Sequence, residues 1–348
     1  MLDVRRLALL CDLRRLGTIA AVARARSYTP SAVSQQLAAL EREAGVALLE
    51  RTGRRVTFTP AGRVLARHAA TVLSALEETG AALAALRAGP AGPLRIGAFP
   101  TAVRTLLPPA LVRLGREHPA LELMVTELDP VQVPAALRER RLDAGLLNDY
   151  DVAPGDVDPD LDSVPLLDEL VHLALPVASW RGTPASAVHR GGELTAQQPA
   201  VPEAVVPVTA ARDAGTSGPA TTECASLADA RHHPWIMASE GTLCHEVTLR
   251  ICAAQGYTPR VRHRADDFAT VLALVAAGQG VALVPELATT PAAVIPAGVR
   301  LIPLPLRRRT RIAYRKGAAA HPAVAALVTA LTDHGAEEEP RPPTVTRT

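Results

Sequence analysis

Ser31, Ser34 and Gln35 place two hydroxyls and an amide at helical spacing, a set suited to hydrogen bonds rather than to covalent chemistry. Side chains this short let a helix enter a major groove and bond base edges or phosphates. Thr29 and Pro30 stand immediately before them. Pro30 fits a first helical position, where its missing N–H costs nothing, and Thr29 can cap the helix it opens. Further on, Arg51, Arg54 and Arg55 surround Gly53. Arginines at such a turn reach phosphates or a narrow minor groove. Thr29, Pro30, Ser31, Ser34, Gln35, Arg51, Arg54 and Arg55 are therefore the candidate DNA contacts.

These residues need a scaffold, and the surrounding pattern supplies one. Val33, Leu37 and Leu40 recur at i, i+4 and i+7, the buried stripe of the same helix. Before it, Thr18 caps a short run of small apolar residues to Ala23, and Ser27 to Pro30 form the turn between the two helices. Val56 to Thr59 alternate like a strand, which makes a small β-wing with the arginines at its tip. A lone hairpin of this kind is often just a solvated one; beside two such helices it points to DNA.

The run SYTPSAVSQQLAALEREAGVALLERTGRRVTFTPAG, Ser27 to Gly62, resembles the winged helix-turn-helix of LysR-type transcriptional regulators. Ser31, Ala32, Val33, Ser34, Gln36, Leu40, Glu41, Arg51, Thr59, Ala61 and Gly62 carry the likeness. Two departures, Leu48-Leu49 and Ala44-Gly45, are conservative packing changes away from the DNA face. The resemblance implies duplex DNA as partner, a small-molecule effector, and assembly as a homodimer or a dimer of dimers. It also implies the fold class, which is α/β overall: a mostly α winged helix-turn-helix, a long linker helix and a two-lobed α/β effector domain.

A chain of 348 residues with 48% hydrophobic content predicts two or more domains with sizeable cores. Net charge is only +2, but the first 90 residues hold 13 arginines against 7 acidic residues, leaving 24 basic against 28 acidic beyond them. The positive field is thus concentrated on the segment that resembles a DNA reader. The start of the chain has no long apolar segment, so a cytoplasmic protein is expected. The most apolar window, Phe268 to Pro285, is split by Gly278-Gln279-Gly280 and reads as globular core rather than a membrane span.

The chain divides into 1–58, the DNA-binding domain; 59–88, a linker and dimerisation helix; 89–93, a Gly/Pro hinge; and 94–332, the effector domain. The linker stripe Val64, Leu65, Val72, Leu76, Leu83 and Leu86 calls for a partner, either the same helix of a second chain or the chain's own second domain. After the hinge, strand and helix signals alternate and predict a parallel sheet covered by helices. Residues 181–223, rich in Pro, Ala, Gly and Thr, read as a disordered insertion, and 333–348 as a disordered tail.

In open α/β sheets a ligand sits at the carboxyl ends of strands. Thr101, at the first strand-to-helix turn, Thr126, ending the second strand, and Thr242, opening a helix of the other lobe, are the candidate effector contacts. Each has a plainer role as a cap or a strand residue. Asn148-Asp149-Tyr150 and Asp266-Asp267-Phe268 lie near the predicted crossings between lobes, as cleft lining or turns, and Arg104 as an effector partner or an exposed helix residue.

Cys11, Cys224, Cys244 and Cys252 show no metal-ligand spacing, so no metal or other cofactor is expected. Cys244 and Cys252 stand ~12 Å apart along one helix, too far for a disulfide, which makes small buried thiols the default over a redox sensor. No GxSxG, phosphate loop or nucleophile–base set is present, so no catalytic residue is assigned and an enzyme is the weaker rival. A pure solute-binding protein is opposed by the basic N-terminal quarter. The sequence thus predicts an effector-controlled transcriptional regulator.

Overall fold

The computed structural model describes residues 1–52, 55–86, 89–155, 158–177, 226–289 and 295–337; side chains of 51, 52, 55 and 334–337 are not described. The expected insertion 181–223, the end of the tail and Arg54 lie outside the described residues.

Three helices open the chain, α1 (Val4–Leu16), α2 (Ile19–Ala25) and α3 (Pro30–Ala44), followed by a hairpin of β1 (Leu49–Thr52) and β2 (Arg55–Phe58). Their starts follow from local chemistry. Asp3, Thr18 and Thr29 are extended residues whose side chains accept the free N–H groups of the first turns of α1, α2 and α3. Leu10, Leu13, Val22, Val33, Leu37, Leu40 and Leu48 fill a common core. Glu41 accepts from the amides of Leu48 and Leu49 at 2.9 and 3.0 Å, which fixes where the hairpin leaves the bundle.

Helix α4 (Pro60–Ala85) starts on a Thr59 cap and a first-position proline. Its N-terminal third packs into the first domain through Leu65, Ala66 and Ala69. Further along, Val72, Leu76, Leu83 and Leu86 are exposed, Leu83 at 62% and Leu86 at 84%. The other side of the same stretch touches the chain's own second domain: Glu77 pairs with Arg140 at 2.6 Å and Arg315 at 2.9 Å. The linker helix therefore packs one face against the chain's own second domain and leaves one apolar stripe open.

The second domain is built on one six-stranded sheet ordered β4-β3-β5-β10-β6-β9. Its strands are β3 (Gly92–Ala98), β4 (Leu121–Glu127), β5 (Ala144–Tyr150), β6 (Leu161–Pro176), β9 (Ala282–Pro285) and β10 (Val299–Arg315). Only β4, β3 and β5 run parallel; β10 and β6 join antiparallel and are long enough to pass from one lobe into the other. The sheet is mixed, where alternation of strands and helices had suggested a parallel one. Strands β7 (Pro234–Met237) and β8 (Arg260–Arg264) pair in parallel and attach through a Trp235–Val281 bridge.

Helices α5 (Pro100–Thr105), α6 (Leu107–Glu117), α7 (Val133–Arg138) and α10 (Pro322–Glu337) cover the first lobe, and α8 (Leu243–Ala254) and α9 (Phe268–Ala276) the second. Helices α5 and α6 are separated at Leu106, just ahead of the pair Pro108-Pro109, whose missing N–H groups cannot continue the preceding helical hydrogen bonds. Helix α10 continues through 333–337, which composition had placed in the loose tail, and Asp333 is anchored there by Arg113 at 3.0 Å.

Candidate nucleic-acid interface and effector cleft

Helix α3 presents two chemically distinct faces. Val33, Leu37 and Leu40 are almost fully buried, whereas Thr29, Pro30, Ser31 and Gln35 are exposed and Ser34 is half-buried. The Thr29 hydroxyl accepts from the Ala32 amide at 3.2 Å and lies 3.0 Å from Ser31 Oγ. Ser34 donates to the Pro30 carbonyl at 2.9 Å. Gln36, next to the candidates, is held by Arg6 Nε at 2.9 Å, and Arg6 also pairs with Glu43, so α1 clamps the orientation of α3. Arg51 and Arg55 belong to the paired strands of the hairpin, Arg51 opposite Val56 and Thr52 opposite Arg55.

In the second domain, Arg308 on β10 is 1% exposed and pairs with Glu169 on β6, from Nε at 2.7 Å. Glu169 also accepts from the Leu287 amide. The Phe99 ring lies 5.1 Å from Arg308 Cζ, giving the guanidinium an apolar floor at the start of α5. Tyr150 stands opposite Arg308 on β5, and its Oη is 3.5 Å from Cys244 Sγ on α8. Residues from both lobes therefore meet around one buried guanidinium. Burial pushes the Tyr150 hydroxyl and the Cys244 thiol above their ordinary values, so both stay protonated at neutral pH.

Of the three threonines, Thr101 is buried two residues beyond Phe99. Thr242 is the cap of α8; its hydroxyl accepts from the His245 amide at 3.3 Å and donates to the Ser239 carbonyl at 2.7 Å. Thr126 is exposed on edge strand β4 opposite Gly97. Its neighbours Leu123 and Val125 share a face with Leu94 and Ile96, so Thr126 projects from the other face of the sheet, away from Thr101's side. Thr101 thus lies two residues along the chain from the ring that faces Arg308, and Thr126 lies on the other face of the sheet.

Arg104 pairs with Asp267, the cap of α9, at 2.6 Å and bridges the lobes. Asp266 accepts from the amide and hydroxyl of Ser239, each at 2.7 Å. Asn148, Asp149 and Tyr150 lie in strand β5, not in a turn. Burial, and Asp266 facing it, raise the Asp129 carboxyl above its ordinary value. Arg308 and Glu169 had no local signal: Arg307-Arg308-Arg309 reads as a charge run, and the partner carboxylate is 139 positions away. Cys11, Cys244 and Cys252 are free thiols; Cys224 lies outside the described residues. Among the described residues no helix is long and apolar enough to cross a membrane.

Comparison with known proteins agrees with this architecture. Residues 4–63 match the bacterial regulatory helix-turn-helix protein, lysR family, and residues 87–191 and 197–336 match the LysR substrate binding domain. The chain is 33% identical over 269 residues to a probable hydrogen peroxide-inducible genes activator of Mycobacterium avium, covering 76% of this chain and 71% of that protein. It is 29% identical over 259 residues to the DNA-binding transcriptional dual regulator OxyR of Escherichia coli, covering 74% and 71%. The fold is shared with a mutant of Corynebacterium glutamicum OxyR, at TM-score 0.51 and 22% identity over 97% of this chain and 93% of that one. The chain belongs to the LysR family: it is a DNA-binding transcriptional regulator with an effector-binding domain, not an enzyme.

Proposed function

We propose that two copies of the chain read duplex DNA by laying α3 in the major groove, and that a small molecule between the lobes of the second domain changes how they do so. The observation carrying the first half is the split character of α3, a sealed Val33/Leu37/Leu40 stripe behind an open Thr29-to-Gln35 face. Thr29, Pro30, Ser31, Ser34 and Gln35 contact bases or phosphates, and Arg51, Arg54 and Arg55 lie on the backbone or minor groove. The exposed Val72, Leu76, Leu83 and Leu86 stripe of α4 supports pairing of two linker helices.

The effector occupies the junction around Arg308, with Thr101 and Thr242 near its two walls; Thr126, on the other face of the sheet, stands outside it. Binding there shifts the population of lobe angles, which the linker helix transmits to the recognition helices. The test is selection of genomic fragments by the purified protein, followed by titration of a selected fragment against scrambled competitor. Selective binding that changes with an added metabolite supports the proposal; binding without sequence preference at any salt concentration refutes it.

A second reading takes peroxide as the signal, since several relatives are named hydrogen peroxide-inducible activators. It is favoured by the position of Cys244 beside Tyr150 and Arg308. Against it, burial keeps the thiol protonated, and the thiolate is the reactive form. Intact mass after peroxide, with Cys244→Ser as control, separates the two: a single added oxygen lost in C244S supports the thiol route.

A further inference from the structure

Strands β5 and β10 pair antiparallel with Asn148 opposite Thr310 and Tyr150 opposite Arg308. Opposed residues, and residues two apart on a strand, share a face, so these four side chains form one patch. Glu169, opposite Arg308 on β6, completes it. On the same face Ala144, Leu146 and Ile312 continue as ordinary apolar core. The change from apolar to polar occurs entirely inside the protein: Asn148 is 7% exposed and Thr310 0%.

The hydrogen bonds of this patch do not balance. Glu169 is fully engaged by Arg308 and the Leu287 amide, and Tyr150 by Cys244. Asn148 Oδ1 and Thr310 Oγ1, however, have no partner, and Arg308 Nη2 lies 2.7 Å from Glu169 Oε1 without hydrogen-bond geometry. Buried polar groups left unpaired oppose folding, and a leucine or valine at 148 and 310 would extend the neighbouring core instead. The three unsatisfied groups occupy adjacent register positions and so face one polar partner together.

Charge narrows the ligand. The guanidinium of Arg308 is already neutralised by Glu169, and Tyr150 and Cys244 are held protonated. Asp129 and Asp266 face each other nearby and add negative potential. A carboxylate entering here would be an uncompensated buried charge. The three groups ask instead for an acceptor for Arg308, a donor for Asn148 and either for Thr310.

We propose that Asn148, Thr310 and Arg308 form the recognition core for an uncharged small molecule that presents a hydrogen-bond acceptor and a donor on the same carbon, as a primary carboxamide does. This rests on the effector reading above and names the ligand's chemical class.

The experiment uses the full chain, thermal melting and operator titration, with a series of primary carboxamides and their matched carboxylates as probes. Carboxamides are expected to raise Tm with concentration as mass action requires, and carboxylates of the same skeleton to leave it unchanged. Thr310→Val should melt at or above the wild type without ligand, because it removes an unpaired hydroxyl, and should lose the carboxamide shift; Asn148→Ala should lose it too. A carboxylate shift equal to or larger than its carboxamide's overturns the proposal. So does a series in which no carboxamide acts, or a T310V protein that melts below the wild type, since its hydroxyl then serves the fold through water. If operator selectivity persists while the carboxamides fail, only the ligand class falls; if selectivity is absent, the effector reading falls with it.

Discussion

Arg315 donates from Nε to Glu77 Oε1 at 2.9 Å, joining the end of β10 to the linker helix α4. The same guanidinium donates to the carbonyls of Leu137 at 3.2 Å and Leu142 at 2.7 Å, and Arg140 reaches the other oxygen of Glu77 at 2.6 Å. Next to this clamp Gly317, at φ 89°, lies against the Ser74 carbonyl so closely that a side chain would not fit. Strand β10 thus carries Arg308 at the lobe junction and, one residue beyond Tyr314, the contact to the helix that ends in the DNA-binding domain. One strand therefore joins the residue at the lobe junction to the residue that holds α4.

Glu77→Gln keeps the shape and removes the charge from this clamp. Burial alone would push the Glu77 carboxyl up, but Arg315 and then Arg140 outweigh it and hold it below its ordinary value of 4.5. A depressed carboxyl contributes stability above that ordinary value and loses it as pH falls through the folded value, so nothing should change between pH 5 and 8. Below about pH 4.5 the wild type loosens while E77Q is already loose. At neutral pH, E77Q should weaken effector–operator coupling by about 1 kcal/mol, roughly fivefold, in fluorescence anisotropy. Unchanged coupling would show that β10 does not transmit.

Gly62→Ala sets helix propensity against sterics. Alanine normally favours a helix interior by about 1 kcal/mol over glycine. Here the new Cβ would overlap the carbonyl of Leu48, which is itself held by the Thr59 amide at 3.0 Å and cannot swing away. Overpacking of that kind costs about 1–3 kcal/mol, so the clash wins. Circular dichroism melts should show a lower transition for the DNA-binding domain; a stabilised variant would mean the hairpin can shift.

Local chemistry made the first domain legible. Thr18, Thr29 and Thr59 each announce a helix in sequence and each accepts the expected amide in the structure. The second domain's strands were also mostly visible, but their directions were not. Whether β6 runs parallel or antiparallel to its neighbour depends on β10, more than 120 positions away, and no turn between them fixes it. Arg308 was hidden for a related reason. In a strand, Arg307, Arg309 and Arg311 face one way, to Asp168, Asp151 and Asp149, while Arg308 and Thr310 face the other, and a run of charges does not reveal which member is buried.

Glu169→Gln should be among the most damaging single changes in the second domain. It leaves the Arg308 guanidinium buried opposite a neutral amide, a loss of about 3–5 kcal/mol for a broken buried pair. Arg308→Met with Glu169→Leu removes both charges together and should recover most of that stability. Urea unfolding of the single and double variants checks this. A single variant as stable as the wild type would mean that solvent reaches the pair.

Leu76→Glu with Leu83→Glu places charges on the open stripe of α4, whose leucines are 48% and 62% exposed. A surface substitution in a monomer changes stability by about 0.5 kcal/mol or less, so folding of the isolated chain should be spared. Paired linker helices would instead bury two like charges against their copies. Sedimentation velocity should show the variant as a monomer and the wild type as a larger species. Identical sedimentation would remove the linker helix from assembly.

Arg54→Ala with Arg55→Ala tests the hairpin tip separately from α3. If both arginines neutralise phosphates, each lost contact lowers the slope of log affinity against log salt by about 0.9 in magnitude, and a dimer loses about 4 contacts. Affinity should fall for every DNA sequence by a similar factor, leaving the ratio between operator and scrambled duplex nearly intact. Ser34→Ala or Gln35→Ala should do the reverse, lowering that ratio with little effect on slope, because a base contact carries sequence information and releases no counterion. Anisotropy titrations at several salt concentrations distinguish the two signatures. A hairpin variant with an unchanged slope would place Arg54 and Arg55 in solvent, away from the duplex.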